Sequence, residues 1–64
     1  LKVGDKFTLC VKENSYNCII ANISDYREPS MKYAIDFYKN GIFIDTYFAG
    51  DEFFIKNENN ISKE

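Results

Sequence analysis

The 64 residues suffice for one domain, because a chain of this size buries only about 60% of the surface its unfolded form exposes. Hydrophobic residues make up 45% and aromatic residues 17%, with six Phe, five Tyr and no Trp, so the core has to be built from rings that each bury roughly 150 to 250 Å². Eight Lys plus Arg against ten Asp plus Glu give a net charge of −2, and His is absent, which excludes a strongly basic nucleic-acid footprint and any His-dependent metal site or catalytic dyad.

In chain order, LKVGDKF places a turn at Gly4-Asp5 and launches an alternating strand over residues 5–12. Phe7, Leu9 and Val11 share one face of it and Cys10 the other. A loop through KENS leads to a second strand over residues 16–25, YNCIIANISD, with Tyr16, Cys18 and Ile20 inward. The pairing that keeps inward positions together sets Val11 opposite Tyr16, Leu9 opposite Cys18 and Phe7 opposite Ile20. Ile20 and Ile23 both read as buried although three residues apart, which calls for a bulge near Ala21-Asn22. Cys10 and Cys18 then lie on opposite faces, where disulfide geometry is out of reach. Two free thiols and a reducing intracellular compartment, cytoplasmic or nuclear, are expected.

YREPSM, residues 26–31, reads as a loop around the one proline. The strand KYAIDFYK (32–39) and the following residues flank an Asn40-Gly41 turn, a strong hairpin signal. A plain two-residue turn pairs Phe37 with Ile44, Ile35 with Thr46 and Tyr33 with Phe48 on the inner face. On the outer face it pairs Tyr38 with Phe43 and sets Asp36 against Asp45, a mildly destabilising like-charge contact. Next, AGDE suggests a helical turn, FFIK (53–56) a short closing strand, and NENNISKE a polar tail. The expected domain is therefore residues 1–56, with 57–64 as a C-terminal tail. Five strands with turns every eight to twelve residues predict an all-β barrel or sandwich.

The opening Val3-Gly4-Asp5-Lys6, the bent second strand with Tyr16, Cys18, Ile20 and Ile23, the strand YAIDF and the acidic turn in GDEFF together resemble SH3-like barrels, and among them the Tudor family, over roughly residues 3 to 55. The resemblance implies a five-stranded SH3-like barrel with a helical turn before the last strand. It also implies a methylated Lys or Arg held among aromatic rings by cation attraction to the ring faces. Tyr16 and Phe37 fall on such positions, with Tyr38 or Asn40 on the hairpin side; the end of the first strand offers only Val11 or Lys12 where the family often has another ring.

Enzymatic chemistry has little support in the residues: there is no phosphate-binding glycine loop, no spaced carboxylate set for a hard metal, and nothing that places a carboxylate pair around a cleft. No catalysis and no cofactor are expected. The expected function is a non-catalytic binding module recognising a protein or peptide, methylated in the family's manner or not, through Tyr16, Phe37, Tyr38, Asn40, Phe43, Asp45 and Tyr47. An exposed aromatic patch on such a small domain marks a partner site. Single-stranded nucleic-acid binding, with Lys12, Lys32 and Lys39 on the phosphates and rings stacking bases, is the weaker alternative given the negative charge. The abundance of Asn, Ile and Lys, typical of AT-rich genomes, adds a third: a small inhibitor from a mobile element that acts on a host enzyme through the same surface. No apolar stretch reaches the roughly 18 residues of a membrane span, so no membrane partner is expected. A first residue other than Met is compatible with a longer parent chain, and an oligomer is left open.

Overall fold

Two tight hairpin turns organise the chain, and both use left-handed backbone. In the computed structural model, which describes residues 1–64, Asn40 (φ 53°) and Gly41 (φ 79°) connect β3 (Tyr33–Lys39) to β4 (Ile42–Ala49). Positive φ at both central positions is the geometry that matches strand twist, and Asn-Gly adopts it at little cost. The other turn, Lys12-Glu13, joins β1 (Lys6–Val11) to β2 (Asn14–Ile23), with Lys12 at φ 56°. It lies within the expected KENS loop but is two residues tighter than that loop would make it.

The tighter turn moves the β1–β2 register by two residues. Leu9 faces Tyr16, Phe7 faces Cys18 and Val11 faces Asn14. Because side chains alternate with a period of two, a two-residue shift changes partners without exchanging faces. Phe7, Leu9, Cys18 and Ile20 therefore remain inward and buried. The bulge expected near Ala21-Asn22 is present: the β2–β3 pairing shifts between Ile20 and Asn22, leaving Ala21 unpaired. Cys10 is exposed, Cys18 is buried, and both are free. Burial pushes the Cys18 thiol up to about 11, against a smaller opposing effect from the Leu9 backbone.

A second bulge corrects the expected β3–β4 register. Tyr38 pairs with Phe43, but Phe37 pairs with Asp45 and Asp36 with Thr46, so Ile44 is the extra residue. Ile44 is 53% exposed rather than core. Beyond it every face assignment is reversed relative to the plain ladder: Ile35 faces Tyr47 and Tyr33 faces Ala49. Phe48 is displaced to the opposite face, where the Arg27 guanidinium lies 5.2 Å from its ring centroid. Arg27 is itself fixed by donating to the carbonyls of Met31 (2.7 Å) and Lys32 (2.9 Å), across a 3-10 turn at Pro29–Met31.

Residues 53–56, expected as a strand, lie in a helix, α1 (Asp51–Lys56), and the last strand is β5 (Ile61–Lys63), within the segment expected to be a tail. Two consecutive rings explain the helix. In a strand Phe53 and Phe54 would point to opposite faces, whereas neighbours on a helix diverge by only about 100° and both can reach one core. Phe54 packs edge-on against Phe7 (5.6 Å) and Tyr33 (5.3 Å), and Phe53 reaches Tyr47 (5.7 Å). Asp51 and Glu52 occupy the first turn and Lys56 the last, which suits the helix dipole. Tyr33 Oη donates to Asp51 Oδ1 at 2.6 Å, tying α1 to β3.

Asn57 ends the helix, its side-chain amide donating to the Phe53 carbonyl at 2.8 Å. After one 3-10 turn, β5 pairs with β1, Ile61 opposite Leu9 and Lys63 opposite Phe7. The all-β class, the five strands and the helical segment ahead of the last strand all match the sequence reading. The strand order is β4-β3-β2-β1-β5, so β4 and β5 are edges and the ladder does not close on itself. No helix is long and apolar enough to cross a membrane.

The core is one cluster on one face of the sheet: Phe7, Leu9, Cys18, Ile20, Tyr33, Ile35 and Ala49, bordered by Tyr16, Ile23, Phe37, Phe53, Phe54 and Ile61. Gly50 lets the chain turn from β4 into α1 against the loop: a Cβ there would collide with the Pro29 carbonyl oxygen and stand 3.0 Å from Ser30 Cα.

Candidate functional site

Where the core thins out toward the hairpin turns, its rings continue as an open groove. Four rings form an unbroken row. Tyr16 meets Phe37 at 5.9 Å and 66°, Phe37 meets Tyr47 at 6.1 Å and 81°, and Tyr47 meets Phe53 at 5.7 Å and 49°. The first three come from adjacent strands β2, β3 and β4, and the fourth from α1. Leu9, Val11 and Ile44 add aliphatic wall, and Lys12, Asn14 and Asp45 supply the polar rim of a concavity of about 490 Å³.

The Ile44 bulge builds this wall. With two residues of β4 set against one of β3, the strand bends; Ile44 and Asp45 both line the groove, and Tyr47 is brought to its side of the sheet. A plain ladder would have put Thr46 opposite Ile35 instead. The Asp45 carboxylate accepts from the backbone N–H of Thr46 at 2.8 Å.

Charge at the groove is mixed and mostly uncompensated within the chain. Lys39 Nζ donates to Asn14 Oδ1 at 2.7 Å and stands 5.7 Å from the Tyr16 ring centroid. Lys12 projects from the neighbouring turn. The one ion pair in the molecule, Glu52 with Lys56 at 3.7 Å, lies elsewhere on α1. Lys32, expected to gather with these two lysines, is instead beside Tyr33, 5.3 Å from its ring.

The seven residues singled out from sequence divide into three places. Tyr16, Phe37, Asp45 and Tyr47 line the groove. Tyr38 and Phe43 pair edge-on at 5.6 Å across the hairpin, on the opposite face of the sheet, with Phe43 52% exposed and Tyr38 half-buried. Asn40 serves the turn. Asp36 and Asp45, expected side by side, are separated by the bulge: Asp36 accepts from Thr46 Oγ1 at 2.7 Å.

Phe53 and Ile44 are groove residues that sequence reasoning assigned to a closing strand and to the core. No local signal marks them, since a bulge and a helix of six residues are both decided by packing. No cluster of three or more His, Cys, Asp or Glu side chains converges anywhere in the molecule. Comparison with known proteins found no matching family model, curated protein or solved structure.

Proposed function

We propose that this chain is a non-catalytic binding module whose ligand is a peptide segment of a partner protein, seated in the groove lined by Tyr16, Phe37, Tyr47 and Phe53. The observation that carries the reading is the uninterrupted row of four rings along the edge strand β4, with Tyr47 exposed and Tyr16, Phe37 and Phe53 half-buried beneath an open concavity. Tyr47 is 53% exposed and Ile44 equally so, a cost that a domain of this size accepts where the surface is used. Aromatic side chains supply large contact area with few rotors to freeze, which is why they dominate binding surfaces. Both Tyr hydroxyls also offer polar handles at the rim of an apolar surface.

The resemblance of residues 3 to 55 to SH3-like and Tudor-like domains supports the same surface, since Tyr16 and Phe37 carry it. A methylated cation is a poorer fit than that resemblance implies. The rings touch one another in a row rather than standing around a gap, and Lys39 already lies over the face of Tyr16.

Selection of a random peptide library on the immobilised chain tests the reading. The expected result is enrichment of a defined motif on the native chain and its loss on Tyr47→Ala, a substitution at an exposed edge position. Failure to enrich any motif over an empty support, or enrichment untouched by Tyr47→Ala, would overturn it.

A further inference from the structure

Two cations stand at the groove without an ion-pair partner in the chain: Lys12 in its lining, and Lys39 at its end against Asn14 and Tyr16. Lys12 and Lys39 lack any carboxylate partner within ion-pair distance, because the only such pair is Glu52 with Lys56. Lys39 Nζ uses one of its three donors on Asn14 Oδ1 and rests against Tyr16, so two donors stay free at the end of the aromatic row. The single acid of the groove, Asp45, is engaged with the Thr46 N–H. In a protein of net charge −2, Lys12 and Lys39 thus face a groove lining with a single carboxylate, directly beside an apolar strip.

We propose, resting on the groove assignment above, that the ligand is an acidic peptide with an apolar or aromatic side chain flanked by carboxylates. The side chain lies on the row Phe37, Tyr47 and Phe53, and a neighbouring carboxylate is received by Lys12 and Lys39. Charge complementarity selects this occupant over a basic one: a cationic side chain would meet Lys39 at the Tyr16 face, and like charges brought together at an interface suppress the wrong partner. Lys12 holds a left-handed φ of 56°, a conformation that a side-chain-bearing residue seldom adopts.

The experiment is an amide NMR titration of the full chain with four probes. These are a capped Gly-Asp-Phe-Glu-Gly peptide, its Asn/Gln counterpart, a capped peptide centred on trimethyllysine, and a short oligothymidylate. The expected result is that the acidic peptide shifts the amides of Tyr16, Phe37, Tyr47 and Phe53 and binds about tenfold more tightly than its neutral counterpart, the difference made by two partly exposed ion pairs. That preference should fall to about twofold in the Lys12→Gln/Lys39→Gln double variant, whose neutral-peptide affinity serves as the check that its groove is intact.

Equal affinity for acidic and neutral peptides, or preference for trimethyllysine, overturns this inference while leaving the groove assignment standing. Tighter binding of the oligothymidylate overturns the peptide as occupant. If no peptide moves the groove amides, the groove assignment fails, and this inference with it.

Discussion

Thr46 Oγ1 donates a 2.7 Å hydrogen bond to Asp36 Oδ1 across the β3–β4 ladder, in the place where an unbulged hairpin would have set Asp45 against Asp36. One extra residue, Ile44, thereby replaces a like-charge contact with a charge-assisted bond. Thr46→Val keeps the shape and removes the donor. Both groups are half-buried, so the loss should be about 1.5 kcal/mol, at the low end for a bond to a charged acceptor. Urea unfolding of the two proteins, read as a shift in midpoint at constant slope, measures it.

Gly50→Ala tests the contact between the loop and the start of α1. The backbone there is extended, φ −105° and ψ −172°, which Ala adopts freely, so any effect is steric. The added methyl meets backbone on the facing side, the Pro29 carbonyl oxygen and Ser30 Cα; neither can swing aside as a side-chain end would. Overpacking of this kind typically costs about 1 to 3 kcal/mol, and a lowered thermal midpoint is expected. A midpoint unchanged from the native chain would mean that the loop is not held against α1.

Lys12→Gly separates stability from binding at one position. Glycine adopts the left-handed conformation without the Cβ penalty, and part of that gain is returned as unfolded-state entropy, leaving a stabilisation of about 0.5 kcal/mol. The same substitution removes a groove cation. Higher stability together with weaker binding of the acidic peptide is the expected combination, read by denaturation and titration on the same preparation.

Two groups make the fold sensitive to alkali. Burial raises the Cys18 thiol from its ordinary 9.0 to about 11, and the hydrogen bond to Asp51, with burial and the negative charge of that carboxylate, raises the Tyr33 phenol above 10.0 despite the opposing Lys32. Each raised group holds its proton more tightly when folded. Its contribution is therefore complete below the unfolded value and is lost as pH rises through the folded one. Stability should be flat in these two groups below about pH 9 and fall from there to pH 11 and beyond. Cys18→Ala should lower stability at neutral pH by opening a small cavity while flattening the slope between pH 9 and 11. Denaturation midpoints across that range check both.

Much of the sheet was legible because its signals are local. The Asn40-Gly41 turn, the alternation of Phe7 and Leu9, and the spacing of Ile20 and Ile23 that required a bulge are all contained within a few residues. Tyr38 and Phe43 found each other for the same reason, being close enough to the turn that its geometry alone sets their register. The β1–β2 register differs by two residues from the one the sequence suggests because Lys12 is not a residue that advertises a left-handed turn; the faces are unchanged since two is the period of a strand.

Beyond Phe43 the sequence offers no local signal, and packing decided the rest. Nothing in IFIDTYFA marks Ile44 as the bulged residue; it is selected because the shift it creates buries Ala49, gives Asp36 a donor and lets Tyr47 join Phe37 and Phe53. FFIK has the composition of a strand, and the core converts it to helix because two adjacent rings are needed on one side. Ile61 is a lone apolar residue in a polar segment, and only the free edge of β1 gives it somewhere to pair. Four of the seven residues predicted to bind lie in the groove, but the groove itself belongs to the tertiary structure. The amino-acid sequence by itself determined an all-β domain with a ring-built core, through turn chemistry and period-two alternation. Which rings were left over to form a surface was decided by the bulge at Ile44 and the docking of α1, since both depend on contacts between residues far apart in the chain.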